Sequence, residues 1–197
     1  MKNVWKIAFF TVVILLIMLF AGIATLLFRP IEETSYEKNE NVSTPDAIPL
    51  EVKAEKKDLN NLIEKYIEQN QLNGPIDYSV FLTDEIELYG TMAVFAASID
   101  LKMTFDPKVL ENGDLLLKQK SISLGSVNLP VPYVLKFIRD GYKMPEWVKI
   151  QPNDEAIYVA LTEMNLKSGL QVKGKKFDLV NDEISFMLYV PDETIAP

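Results

Sequence analysis

The sequence predicts an α+β protein: an N-terminal transmembrane helix followed by a strand-rich body with a curved, mainly antiparallel sheet and two helices. Three observations predict it. Ile7 to Phe28 is a run of 22 residues without a charge. Beyond that run, period-two apolar alternation recurs through most of the chain without a regular strand–helix repeat. Only the stretches after Asp58 and after Pro130 carry a helical pattern.

At the helical rise of about 1.5 Å per residue, the first run spans roughly 33 Å, the thickness of a hydrocarbon core. Lys2 and Lys6 precede it and Arg29-Pro30 end it. Secretory apolar regions are shorter, about 7–15 residues, and Leu26, Leu27 and Phe28 continue past the small residues of Gly22-Ile23-Ala24. The run therefore reads as an uncleaved anchor. The cations on its short N-terminal side put the N-terminus in the cytoplasm and the body outside the cell membrane. The expected organisation is a stub and transmembrane helix over 1–29, a flexible tether over 30–57, and an extracytoplasmic α+β domain over 58–197. Pro30, Pro45, Pro49 and a high density of charge underlie the tether.

Composition excludes much chemistry. The 197 residues include no Cys and no His and carry a net charge of -8. A disulfide, a thiol nucleophile, a Cys/His zinc site and a Ser-His-Asp triad are all impossible. All 28 acidic residues but only 17 of the 20 basic ones lie beyond Arg29, leaving that part at -11. Such a balance argues against nucleic-acid binding. It also predicts repulsion from an anionic bilayer unless a local basic patch intervenes.

The body opens with an amphipathic helix. Leu59, Leu62, Ile63, Tyr66 and Ile67 form its stripe, Asp58 reads as its N-cap, and Asn73-Gly74-Pro75 as its stop. Ile76, Tyr78, Val80 and Leu82 then alternate before a turn near Asp84-Glu85. From Ala93 to Phe105 every odd position is apolar, and one long strand with one buried face is expected. Met92, Val94 and Ala96 make its first half apolar on both faces, so core and ligand surface compete for that segment. Glu111-Asn112-Gly113-Asp114 is a turn, with Leu115–Leu124 as the hairpin partner. A short helix follows Leu129-Pro130-Val131-Pro132, with Val134, Leu135, Phe137, Ile138 and Tyr142 able to face a core. Strands are then expected over Ala156–Thr162, Leu170–Val180 and Glu183–Val190.

Motifs with chemistry are few. Gly169 to Lys176 nearly spells a phosphate loop, but Lys176 replaces the magnesium-binding hydroxyl, and a strand hairpin is the wrong setting. Ser35-Tyr36-Glu37-Lys38 has Ser-x-x-Lys spacing but lies in the tether without companion motifs. Carboxylates at Asp84, Glu85, Asp100, Asp106, Asp154 and Glu155 could in principle serve a hydrolase, with Asp100 the most interesting, yet most sit at turns or polar strand faces. No catalytic, cofactor-binding or metal-binding residue is assigned. The aromatics Tyr133, Phe137, Tyr142 and Trp147, flanked by prolines, either rim an apolar opening or plug the end of the sheet. With Met92, Val94 and Phe95 they form the candidate surface for an apolar ligand or partner.

Leu124-Gly125, Leu129 to Leu135, Met144-Pro145-Glu146-Trp147-Val148 and Val159 to Met164 resemble the YpmS-like family. Its members are single-pass membrane proteins of Gram-positive bacteria, largely uncharacterised. The resemblance implies a surface-facing anchored protein and supplies no catalytic residues. The expectation is non-catalytic binding of a lipid or other long apolar ligand at the cell envelope. The alternative is an interaction module that recruits or regulates an envelope-assembly enzyme, with a carboxylate-based hydrolase third.

Overall fold

The computed structural model describes residues 12–19, 21, 47–70, 72, 78–94, 97–125, 129–164, 166 and 169–191, the side chains of 92–94 and 97 excepted. The chain forms two compact units, 1–36 and 37–197. In the first, residues 12–19 are helical, and Val12 and Ile14 to Leu19 are all exposed. Among the described residues no helix is long and apolar enough to cross a membrane. The expected helix over 7–28 falls largely outside them.

Among the described residues the second unit holds every strand, and all pairings are antiparallel. It is α+β with a curled sheet, as the alternation predicts. In chain order the elements are β1 (Ala47–Ala54), α1 (Lys56–Gln69), β2 (Tyr78–Leu82), β3 (Ile86–Val94), β4 (Ala97–Val109), β5 (Leu115–Ser123), α2 (Val131–Gly141), β6 (Val148–Gln151), β7 (Ala156–Val159), a 3-10 turn (Leu161–Glu163), β8 (Gln171–Asp178) and β9 (Glu183–Pro191). Six strands pair in the order β2-β3-β4-β5-β7-β6, and three in the order β1-β9-β8.

Four expectations change. The stretch expected as a tether contains a strand instead, β1 at Ala47–Ala54, and its part before residue 47 lies outside the described residues. Ile48, Leu50, Val52 and Ala54 stand opposite Val190, Leu188, Phe186 and Ile184, so an alternating strand finds an alternating partner despite Pro49. The single long strand is in fact the end of one strand and most of the next: the chain reverses between Val94 and Ala97, which are paired. Alternation alone does not mark a hairpin whose turn lacks Gly, Pro, Asn or Asp. The helix α1 begins at Lys56 and is capped at Asn70, three residues before the expected stop. Asp58 lies in its first turn rather than at its N-cap, and the Lys56 N–H donates instead to the Asp182 carboxylate of the β8–β9 turn at 2.9 Å. The alternation predicts no strand over Val148–Gln151, where β6 pairs with β7.

The core lies where α1 and α2 cover the large sheet. Val134, Leu135 and Ile138 of α2 and Leu101, Met103 and Phe105 of β4 are at most 2% exposed. Ile67 completes the stripe of α1, with Leu59 and Ile63 packed against the cluster. Lys120 is the extra residue of a bulge in β5 opposite Thr104-Phe105, which sharpens the local twist. The small sheet meets the large one through the β4–β5 turn: the Gly174 N–H donates to the Gly113 carbonyl at 2.6 Å. A Cβ on Gly113 would stand 2.5 Å from the Lys173 Cβ, and its φ of +90° already favours glycine.

Candidate functional site

The sequence-predicted aromatics close the core. Tyr142, following α2, is buried, and its hydroxyl donates to the Thr91 carbonyl at 2.5 Å. Its ring meets Tyr78 and Phe137 edge-on, at 5.6 and 6.3 Å. Burial pushes the Tyr78 and Tyr142 hydroxyls above the ordinary tyrosine value. Trp147 sits apart from that trio: its indole N–H donates to the Tyr66 hydroxyl at 3.3 Å, which pins the chain after α2 to α1. Tyr133 is half-buried at the start of α2. Met92 and Val94 lie on β3, but their side chains, and Phe95 altogether, fall outside the described residues.

The carboxylates lie on the other face of the large sheet or in the turns between its strands. A hollow of about 740 Å³ is lined by Lys56, Asp84, Glu85, Glu87, Lys102 and Thr104, among others. Its charges are matched in pairs: Lys120 with Glu85 at 2.5 Å, Lys102 with Glu87 at 3.2 Å, Lys56 with Asp84 at 3.4 Å. The Tyr89 hydroxyl donates to Glu87 at 2.6 Å and, with Lys102, holds that carboxyl below its ordinary range. Pairs of this kind, each open to water on at least one side, contribute little to stability. Asp100 is exposed on β4 opposite Thr91. Asp154 and Glu155 are exposed in the β6–β7 turn. Among the described residues no three carboxylates gather as a metal site requires.

One acidic group the sequence did not single out is buried. Asp114 is 1% exposed and closes the β4–β5 turn. One oxygen accepts from the Thr162 N–H and hydroxyl, both at 2.9 Å; the other accepts from Asn112 at 2.7 Å and from the Tyr158 hydroxyl. Burial first, then the bond to Asp114, pushes the Tyr158 hydroxyl up to about 12. A carboxyl with four donors fixes the turn to β7 and the 3-10 turn; it has no capacity left for a substrate.

An open apolar surface lies on the small sheet. Ile48, Leu50 and Val52 point to one face of β1 and are 45%, 49% and 39% exposed. Across the sheet the face continues through Val190, Leu188 and Phe186 of β9, and then through Val172 of β8 opposite Leu188. Only its Phe186 and Ile184 end, with Phe177 beside it, packs on the core. Leu188, Val190 and Val172 are half-buried beyond that end. Glu51, Lys53, Met187, Tyr189 and Lys173 form the reverse face, where Lys173 lies 5.3 Å over the Tyr189 ring and Lys175 pairs with Glu51 at 2.6 Å. The alternation of Ile48, Leu50 and Val52 with Pro49, Glu51 and Lys53 is visible in sequence, but the prolines around it suggested a tether.

The family model described as an uncharacterized protein conserved in bacteria (DUF2140) matches residues 3–190. The chain is 31% identical over 191 residues to the uncharacterized protein YpmS of Bacillus subtilis (strain 168), covering 97% of this chain and 100% of that one. No solved structure matches it.

Proposed function

We propose that this chain, which belongs to the uncharacterized bacterial family DUF2140, is a membrane-anchored extracytoplasmic protein that binds a lipid or other long apolar ligand without chemistry. One observation carries the reading: the apolar face of β1 and β9 holds three large aliphatic side chains, each exposed by more than a third. At about 25 cal/mol per Å² of apolar surface removed from water, covering such a face is favourable, and an acyl chain matches its aliphatic character. The carboxylates that line the hollow, Asp84, Glu85 and Glu87, are ion-paired and Asp114 is fully engaged, which supports a reading without chemistry. The anchor is supported by the 22-residue uncharged run and by the exposed apolar helix over 12–19.

Mass spectrometry of organic extracts from the purified protein tests the reading, together with uptake of a fluorescent fatty acid. The wild type is expected to carry lipid and take up the probe, and Leu50→Glu is expected to lose both while keeping its circular dichroism spectrum. Absence of lipid and of probe uptake in the wild type would sink it. A photocrosslinker at position 50 that traps one defined envelope protein in cells, and no lipid, would favour the interaction module instead.

A further inference from the structure

The apolar face has a position in the chain and a local charge, and together they select its occupant. Eighteen residues separate Phe28, the end of the uncharged run, from the start of β1. A fully extended chain of that length reaches at most about 65 Å, so if the run spans the bilayer, Ile48 and Leu50 cannot leave its neighbourhood. Charge then decides whether the face can settle on lipid. The part of the chain beyond Arg29 carries -11, and an anionic leaflet repels it as a whole. The small sheet is the exception. Lys53, Lys173, Lys175 and Lys176 outnumber Glu51, Asp178 and Glu183, so its three strands carry +1. An aliphatic face on a weakly basic sheet, with Tyr189 under Lys173 on its reverse, has the composition of a segment that lies at a membrane interface.

We infer that the Ile48, Leu50, Val52, Leu188 face docks on the outer leaflet of the membrane that anchors the chain, rather than on a second protein. This rests on the lipid-binding reading and specifies it: the ligand is met within the bilayer surface. The side chains at the free end of the face enter the acyl boundary. The core-packed end at Ile184 and Phe177 stays with the body, and the polar outer face of the large sheet remains in water.

The protein has no cysteine, so one introduced cysteine is a unique label site. Full-length Leu50→Cys and, as control, Phe81→Cys are reconstituted in nanodiscs of phosphatidylethanolamine and phosphatidylglycerol and given a nitroxide. Phe81 is 46% exposed but lies on the large sheet. The spin label at position 50 is expected to collide more with oxygen than with a water-soluble nickel chelate, and the label at 81 to show the reverse. Preference for the chelate at position 50 overturns the inference. Shielding from both, with dipolar broadening between labels, overturns it in favour of a second copy. A far-ultraviolet circular dichroism spectrum of each labelled variant that matches the wild type guards against unfolding of the small sheet. Fatty-acid uptake on the same samples separates the two failures: uptake with a water-facing label leaves lipid binding standing and removes only the docking.

Discussion

Asn60 of α1 bonds both backbone groups of Leu82: its side-chain N–H donates to the Leu82 carbonyl at 3.0 Å, and its oxygen accepts the Leu82 N–H at 2.7 Å. The amide thus substitutes for a neighbouring strand at the outer edge of β2 and keeps that edge from pairing with another chain. Asn60→Ala removes both bonds and should cost about 1–2 kcal/mol in chemical denaturation. Hydrogen exchange at the Leu82 amide should accelerate more than at core amides such as Met103. Unchanged exchange at Leu82 would show that the edge is held by other groups.

The Asp114 cluster should behave as one unit. Asp114→Ala strands the donors of Asn112, Tyr158 and Thr162 and is expected to destabilise by about 2–4 kcal/mol, against about 1–2 for Tyr158→Phe. The double variant should lose less than the sum, with a coupling between about 0.5 and 3 kcal/mol in a double-mutant cycle. Additive losses would dissolve the cluster into independent bonds.

Stability should fall steeply on the alkaline side. Tyr158 sits at about 12, and Tyr78 and Tyr142 are also above the ordinary value of 10.0. A raised folded value means the folded state keeps its proton where the unfolded chain has lost it. The stabilisation is complete below about 10 and disappears as pH rises through the folded values towards 12. Denaturant midpoints measured from pH 8 to 12 should show this decline, and Tyr158→Phe should flatten it. A decline that is equally steep in Tyr158→Phe would assign it elsewhere.

Gly90 and Tyr142 are matched in size. A Cβ at position 90 would stand 2.8 Å from the Tyr142 hydroxyl, which the Thr91 carbonyl holds in place. Gly90→Ala should cost about 1–3 kcal/mol by overpacking. In a Tyr142→Phe background, where the hydroxyl is gone, the same change should cost less. Equal costs in both backgrounds would mean that the ring moves aside freely.

Much of the fold was legible because local pattern and burial agree. Of the residues expected to face a core around α2, Val134, Leu135, Ile138 and the following Tyr142 are buried and Phe137 is half-buried against them. The strands expected over Leu170–Val180 and Glu183–Val190 pair as the β8–β9 hairpin. What escaped depends on distant partners. β1 exists through its match to β9, more than a hundred residues later, and nothing within residues 47–54 outweighs the signal of Pro49. The cap on Lys56 comes from Asp182, again across the chain. The β3–β4 reversal was missed for a different reason: strand alternation on either side hid a turn without turn residues. The exposed apolar face was out of reach until β1 and β9 were paired, since each strand alone reads as half of an ordinary sheet.

Ala47 stands directly beside Pro191, at the same end of neighbouring antiparallel strands. A load applied between these two residues therefore meets the β1–β9 ladder as a zipper rather than in shear, and breaks its bonds in succession from that end. The small sheet would yield first and at low force, with the large sheet and its core still intact. Peeling would separate Ile48 from Val190, then Leu50 from Leu188, taking the apolar face apart row by row. In mechanical terms, the strand that follows the uncharged run most closely in the chain also belongs to the body's weakest seam.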